Sequence, residues 1–131
     1  MKKTFLILSL SISAIIALTS CEGNTRRTFK IENQGSQSID VYFTDFSGDS
    51  TAITVVPNST GIVQTYDMLG GNSDSGQPGE LSYITDIYQG SDTCKKDRNT
   101  KQNWLIVSTH ERKAPSQWDH QYTFTVDDQD F

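Results

Sequence analysis

The side chains whose types and spacing could do chemistry in this sequence are two histidines, the internal Cys94 and several clusters of acidic residues. His110 is followed by Glu111, and Trp118-Asp119-His120 comes a few residues later. Imidazole and carboxylate together suit zinc, and three such ligands around an open position would make a hydrolytic centre. The spacing is not that of His-Glu-x-x-His, in which one helical turn presents both rings on one face. Both histidines therefore read as surface residues beside strand ends. Cys94 stands beside Lys95, Lys96 and Arg98, charges that would lower a thiol pKa. No His, Asn or second Cys lies nearby in sequence to act as base or resolving partner, so a half-buried or incidental thiol is the better account.

Asp45 with Asp49, Asn72 with Asp74, and Asp127-Asp128-Asp130 are rich in oxygen. Calcium takes ~6–8 oxygens, and none of these stretches repeats the Asp-x-Asp-x-Asp-Gly spacing, so solvated turns and a solvated tail are expected. There is no Gly-x-Ser-x-Gly elbow. Gly70-Gly71 and Gly76 lack the Lys-Ser/Thr partner and the following helix of a phosphate loop. No catalytic residue, metal ligand or cofactor is assigned, and the expectation is a protein that binds without catalysing. The aromatics carry that expectation. Trp118 lies in a polar stretch beside Pro115, Asp119 and His120, and Tyr42 and Tyr66 alternate with residues expected to be buried. Trp118, Asp119 and His120 are the expected binding residues, an aromatic anchor flanked by charge. The competing reading is that Trp118 folds back over the open end of the core.

The elements that must position these residues show an apolar period of two. Phe29 and Ile31, then Ile39, Val41 and Phe43, alternate with polar neighbours, and Asn33 to Gln37 supplies a turn between them. Ile53 and Val55 form a β-branched run stopped by Pro57, and Ile62 to Tyr66 gives a fourth strand. The glycine-rich Asp67 to Glu80 reads as a loop, and Leu81 to Tyr88 as a strand with Leu81, Tyr83 and Ile87 on one face. Trp104 to Thr109 is nearly continuously apolar, which suggests a central strand, and Tyr122, Phe124 and Val126 close the domain. The core is expected to hold Ile39, Val41, Phe43, Trp104, Ile106, Tyr122 and Phe124. About seven short strands with no convincing helix predict an all-β fold, a small antiparallel β-sandwich over residues 28–131. An immunoglobulin-like arrangement matches the strand count but lacks its paired cysteines.

The first 21 residues have a different character. Lys2 and Lys3 precede an uncharged, largely apolar run from Phe5 to Leu18, which is the anatomy of a signal peptide and is too short to span a bilayer comfortably. Leu18-Thr19-Ser20-Cys21 resembles the bacterial lipobox, a branched apolar residue and two small residues before a cysteine. The resemblance implies cleavage after residue 20 and a lipid on Cys21; the stretch Glu22 to Arg27 is short, polar and contains Gly23, so residues 21–27 read as a lipidated tether. Two or more acyl chains would hold the protein stably on a membrane. Glu22 differs from the aspartate of the inner-membrane retention signal, which favours the outer membrane, on its periplasmic face or at the cell surface. The strand pattern of the mature chain is similar to that of small β-rich lipoproteins of Bacteroidetes, a resemblance that carries no activity with it.

Processing also changes the charge balance. Loss of Lys2 and Lys3 leaves 9 basic against 16 acidic side chains, a net −7 on 111 residues. Nucleic acid is an unsuitable partner for such a domain, because phosphate recognition needs a basic footprint. A basic protein or a glycan is suitable, and an inhibitor or immunity protein that neutralises a basic enzyme such as a lysozyme is the narrower form of that expectation.

Overall fold

The computed structural model describes residues 23–45 and 47–131. Residues 1–20, expected to be a signal segment, and Cys21, the expected site of the lipid, lie outside the described residues.

Among the described residues, eight strands form two four-stranded sheets packed face to face. They are β1 (Asn24–Asn33), β2 (Ile39–Thr44), β3 (Ser50–Val55), β4 (Ser59–Leu69), β5 (Ile84–Gln89), β6 (Asp92–Thr93), β7 (Trp104–Glu111) and β8 (Gln117–Val126). The first sheet runs β4-β1-β8-β7 and the second β3-β2-β5-β6. The protein is thus a small all-β sandwich, with one strand more than the apolar pattern predicts, the two-residue β6. All strand pairs are antiparallel except one: β1 and β8 lie side by side and parallel at the centre of the first sheet.

The core between the sheets follows the alternation. Phe29, Ile31, Val41, Ile87, Tyr122, Phe124 and Val126 are fully buried, and Ile39, Phe43 and Trp104 nearly so. Phe29 lies at its centre, its ring stacked on Tyr122 at 4.5 Å and met edge-on by Trp104 at 6.2 Å. Of the residues expected in the core, only Ile106 is partly exposed, packed at the margin.

Several expectations about boundaries and placement are corrected. β1 begins at Asn24, so residues 24–27 belong to the sheet and not to a tether. Thr25 and Arg27 continue the inward phase of Phe29 and Ile31, but as polar residues they leave no trace in an apolar pattern. β7 is an edge strand and not a central one. Its Leu105 and Val107 point outward and are 64 % and 49 % exposed, because a two-layer sandwich leaves the outer face of each sheet to solvent. In β4, Val63 faces no residue of β1, since Phe29 pairs with Gln64 and Lys30 with Ile62. This bulge shifts the phase, so Tyr66 faces inward and stacks on Phe29 at 5.9 Å. Residues 81–83 are not strand: Leu81 ends a single helical turn, Pro78–Leu81, with proline favoured at its start, and Tyr83 adopts a left-handed φ of 54°.

Candidate functional site

β1 and β8 each have ten residues, whereas the facing β2 and β5 have six. At ~3.4 Å per residue the first sheet overhangs the second by about 13 Å. The inner face of this overhang carries polar side chains in place of core: Thr25 and Arg27 on β1, His120 on β8 and Ser108 on β7. The loop from Gly70 to Gln77 lies across it and is held by its own backbone. Thr25 Oγ1 donates to the Gly70 carbonyl (2.7 Å) and accepts from Asn72 N–H (2.8 Å). Arg27 Nη2 donates to the Asp74 carbonyl (3.2 Å), and the Tyr122 hydroxyl to that of Ser75 (2.6 Å).

His120 is fully buried here, contrary to the expectation of a surface histidine. Its Nε2 lies 2.8 Å from the Asn72 carbonyl, which can only accept, so Nε2 carries a proton. Nδ1 lies 2.7 Å from Ser108 Oγ, within hydrogen-bond distance. A hydroxyl on an imidazole that a third group orients is the arrangement of an activated nucleophile. Ser108, however, sits mid-strand, and its own strand supplies no turn or helix terminus beside it to gather N–H donors for an oxyanion. The pair ties the edge strand and the loop to β8.

Trp118 is half-buried on the same inner face, stacked on His110 at 4.2 Å with ring planes 3° apart and on His120 at 5.9 Å. Its Cδ1 lies close beneath Gly71. It packs between the two histidine rings and the loop, on the inner face of the overhang. Asp119 points to the opposite face, as strand alternation requires, toward Arg26. The three expected binding residues are therefore not one site: Trp118 and His120 share a face, and Asp119 is separated from both by the sheet.

The other chemical candidates are engaged in structure. Burial is the main cause that raises the Cys94 thiol pKa, and the opposing influence of Lys96 and Arg98 does not reverse it, so the lowered pKa expected from its basic neighbours is corrected. Asp45 Oδ1 accepts from Ser47 and Asp49 N–H (2.8 and 3.0 Å). Asp74 Oδ1 accepts from Gly76 N–H, and Asp127 Oδ1 from Gln129 N–H. The acidic clusters thus close turns. Among the described residues no group of three His, Cys, Asp or Glu side chains is gathered as for a metal.

The outer face of the second sheet is of a different kind. Asp40 and Tyr42 on β2 pair across with Tyr88 and Asp86 on β5, so two aromatics and two carboxylates alternate diagonally. The Tyr42 and Tyr88 rings meet edge-to-face at 5.6 Å, and Tyr42 is 41 % exposed. Ala52 and Thr54 of β3 flank them, with the Thr54 hydroxyl donating to Asp40 Oδ1 (2.6 Å). No residue of β2, β3, β5 or β6 is basic. Sequence reasoning found Tyr42 here through its alternation with Val41 and Phe43. The same alternation puts Asp40 on that face, but Asp86 and Tyr88 were missed as partners, because strand pairing sets that grouping. Comparison with family models, with curated proteins and with solved structures gave no match.

Proposed function

We propose that the mature chain is a lipid-anchored, non-catalytic binding module of the bacterial cell envelope that takes a basic protein partner on the exposed face of the second sheet. The observation that carries this reading is the Asp40–Tyr42–Asp86–Tyr88 surface, on strands without a single Lys or Arg. Acidic charge on such a face draws a cationic partner in and speeds encounter, while adding little affinity of its own. Tyrosines supply the affinity, since they bury large area for few rotatable bonds and accept hydrogen bonds or cations at their rim and face. The −7 balance of the mature chain acts in the same direction.

A lipid on Cys21 would hold the start of β1 close to the membrane, because the three residues from there to Asn24 span at most ~10 Å. The narrower reading, an inhibitor or immunity protein, uses the same face with a basic enzyme such as a lysozyme as the partner. Affinity capture from native envelope and host fluids tests both, comparing the lipid-free chain with its Tyr42→Ala/Tyr88→Ala variant at low and high salt. Basic proteins retained by the native surface, released by salt and lost from the variant are the expected result. Retention of a glycan, or of acidic partners indifferent to salt, would overturn it. Inhibition of the retained protein's catalysis would identify the narrower case.

A further inference from the structure

A second site is marked by Arg27. This residue is 4 % exposed and lies at the base of an open cleft of about 410 Å³, lined also by Tyr66, Asp67, Met68, Leu81 and Tyr83. Its donors meet only neutral groups: Nη1 the Met68 sulfur (2.7 Å), Nη2 the Asp74 carbonyl (3.2 Å), with the Tyr66 and Tyr122 hydroxyls against the guanidinium. Burial keeps both phenols above their usual pKa, so neither supplies a negative charge. Among the described residues the ion pairs are Arg26–Asp67 and Lys96–Asp130, and neither includes Arg27. Its Nε is buried with no partner at all.

A guanidinium out of water is costly unless an anion meets it. Holding the 70–77 loop does not require a charge, because Thr25 and Tyr122 bind the same loop through their hydroxyls. Asp67 on the cleft wall is not the missing anion: its carboxylate lies against Arg26 at 2.9 Å. The walls themselves are apolar or aromatic, with Met68, Leu81, Tyr66 and the exposed Tyr83.

We propose that this cleft binds a small organic carboxylate with an apolar or aromatic body, the carboxylate pairing with the charge of the Arg27 guanidinium while the body lies among Tyr66, Met68, Leu81 and Tyr83. This site is independent of the face assigned to a protein partner. Its test is an ¹⁵N–¹H titration of the chain from Glu22 onward, which contains every strand of both sheets, read at the Arg27 Nε–H resonance. Benzoate should shift that signal saturably, and Tyr83→Ala should weaken binding roughly tenfold, a loss of about 1.4 kcal/mol. Benzyl alcohol, inorganic phosphate and chloride at matched ionic strength should not saturate. Arg27→Lys, which keeps the charge and loses the planar fork, should also bind more weakly by calorimetry. The native protein and Tyr83→Ala keep the test decisive if that buried substitution prevents folding. An Nε–H signal that benzoate leaves unmoved, or that chloride moves equally, would overturn the proposal. Saturation by phosphate as strong as by benzoate would overturn the assignment of an organic body.

Discussion

Asn33 → Ala should destabilise the domain by about 3 kcal/mol, because this one amide joins the two sheets. Asn33 ends β1 and is 1 % exposed. Its Nδ2 donates to the Gln37 carbonyl (2.8 Å) and, across to β3, to the Val55 carbonyl (2.9 Å), and its Oδ1 accepts from Gly35 N–H (2.9 Å). Alanine leaves a buried N–H and two carbonyls without these partners. An orphaned buried group costs ~1–3 kcal/mol, with the carbonyls at the lower end because each keeps a second lone pair. Urea unfolding followed by circular dichroism would measure the change, and an unchanged slope would show that both variants unfold the same surface. Asn33→Asp sharpens the argument. The introduced carboxylate would face two carbonyl oxygens, so burial and repulsion raise its folded pKa above the unfolded ~3.9. The folded state then binds more protons, and the variant loses stability relative to native as pH rises through that window. Its deficit should be smaller near pH 4 than at pH 7. A loss under about 1 kcal/mol for Asn33→Ala, or a deficit in Asn33→Asp that does not change with pH, would refute the reasoning.

Four further outcomes are expected. Phe29→Ala and Phe124→Ala should each cost ~3–5 kcal/mol in the same assay, whereas Leu105→Thr on the outward face of β7 should stay within about 0.5 kcal/mol. Gly79→Ala should destabilise by about 1–3 kcal/mol, since its Cβ would collide with the backbone at Arg98 and Asn99. Acid should modestly destabilise the native domain through the exposed Asp67, Asp97 and Asp128, whose pKa values are lowered, by Arg26, Thr100 and the Ser36 amide respectively. Their contribution is present above the unfolded ~3.9 and is lost as pH falls through the lower folded values, which a pH series of melting temperatures would follow. Cys21→Ala should abolish lipid labelling in cells, and unchanged palmitate incorporation would contradict the anchor.

The fold class was legible because half-buried strands advertise themselves wherever the inward residues are apolar, as at Ile39, Val41 and Phe43 or Tyr122, Phe124 and Val126. Where the inward residues are polar, the same geometry left no mark. Thr25 and Arg27 at the start of β1, and His120 near the start of β8, point into the molecule because a loop backbone offers them hydrogen-bond partners. That single feature explains the misplaced tether and the histidine taken for a surface residue. It also explains why Arg27 escaped notice, although extending the period-two phase backward from Phe29 would have found it. The edge position of β7 and the parallel pairing of β1 with β8 depend on which strands become neighbours, and local pattern does not encode that. Tyr66 was misassigned for a local reason, the extra residue at Val63, since one inserted residue reverses every following side chain. Of the candidate surface, Asp40 and Tyr42 could be read from the chain alone, whereas Asp86 and Tyr88 join them through strand pairing.

The most direct test of the account is chemical-shift mapping of the isotopically labelled, lipid-free domain with the cationic protein recovered by affinity capture. The account predicts perturbations centred on Asp40, Tyr42, Asp86 and Tyr88. They should weaken as salt is raised beyond physiological strength, where the screening length is already only ~8 Å. Perturbations centred on Trp118 and the open end, or on the outer face of the first sheet, and indifferent to salt, would contradict it.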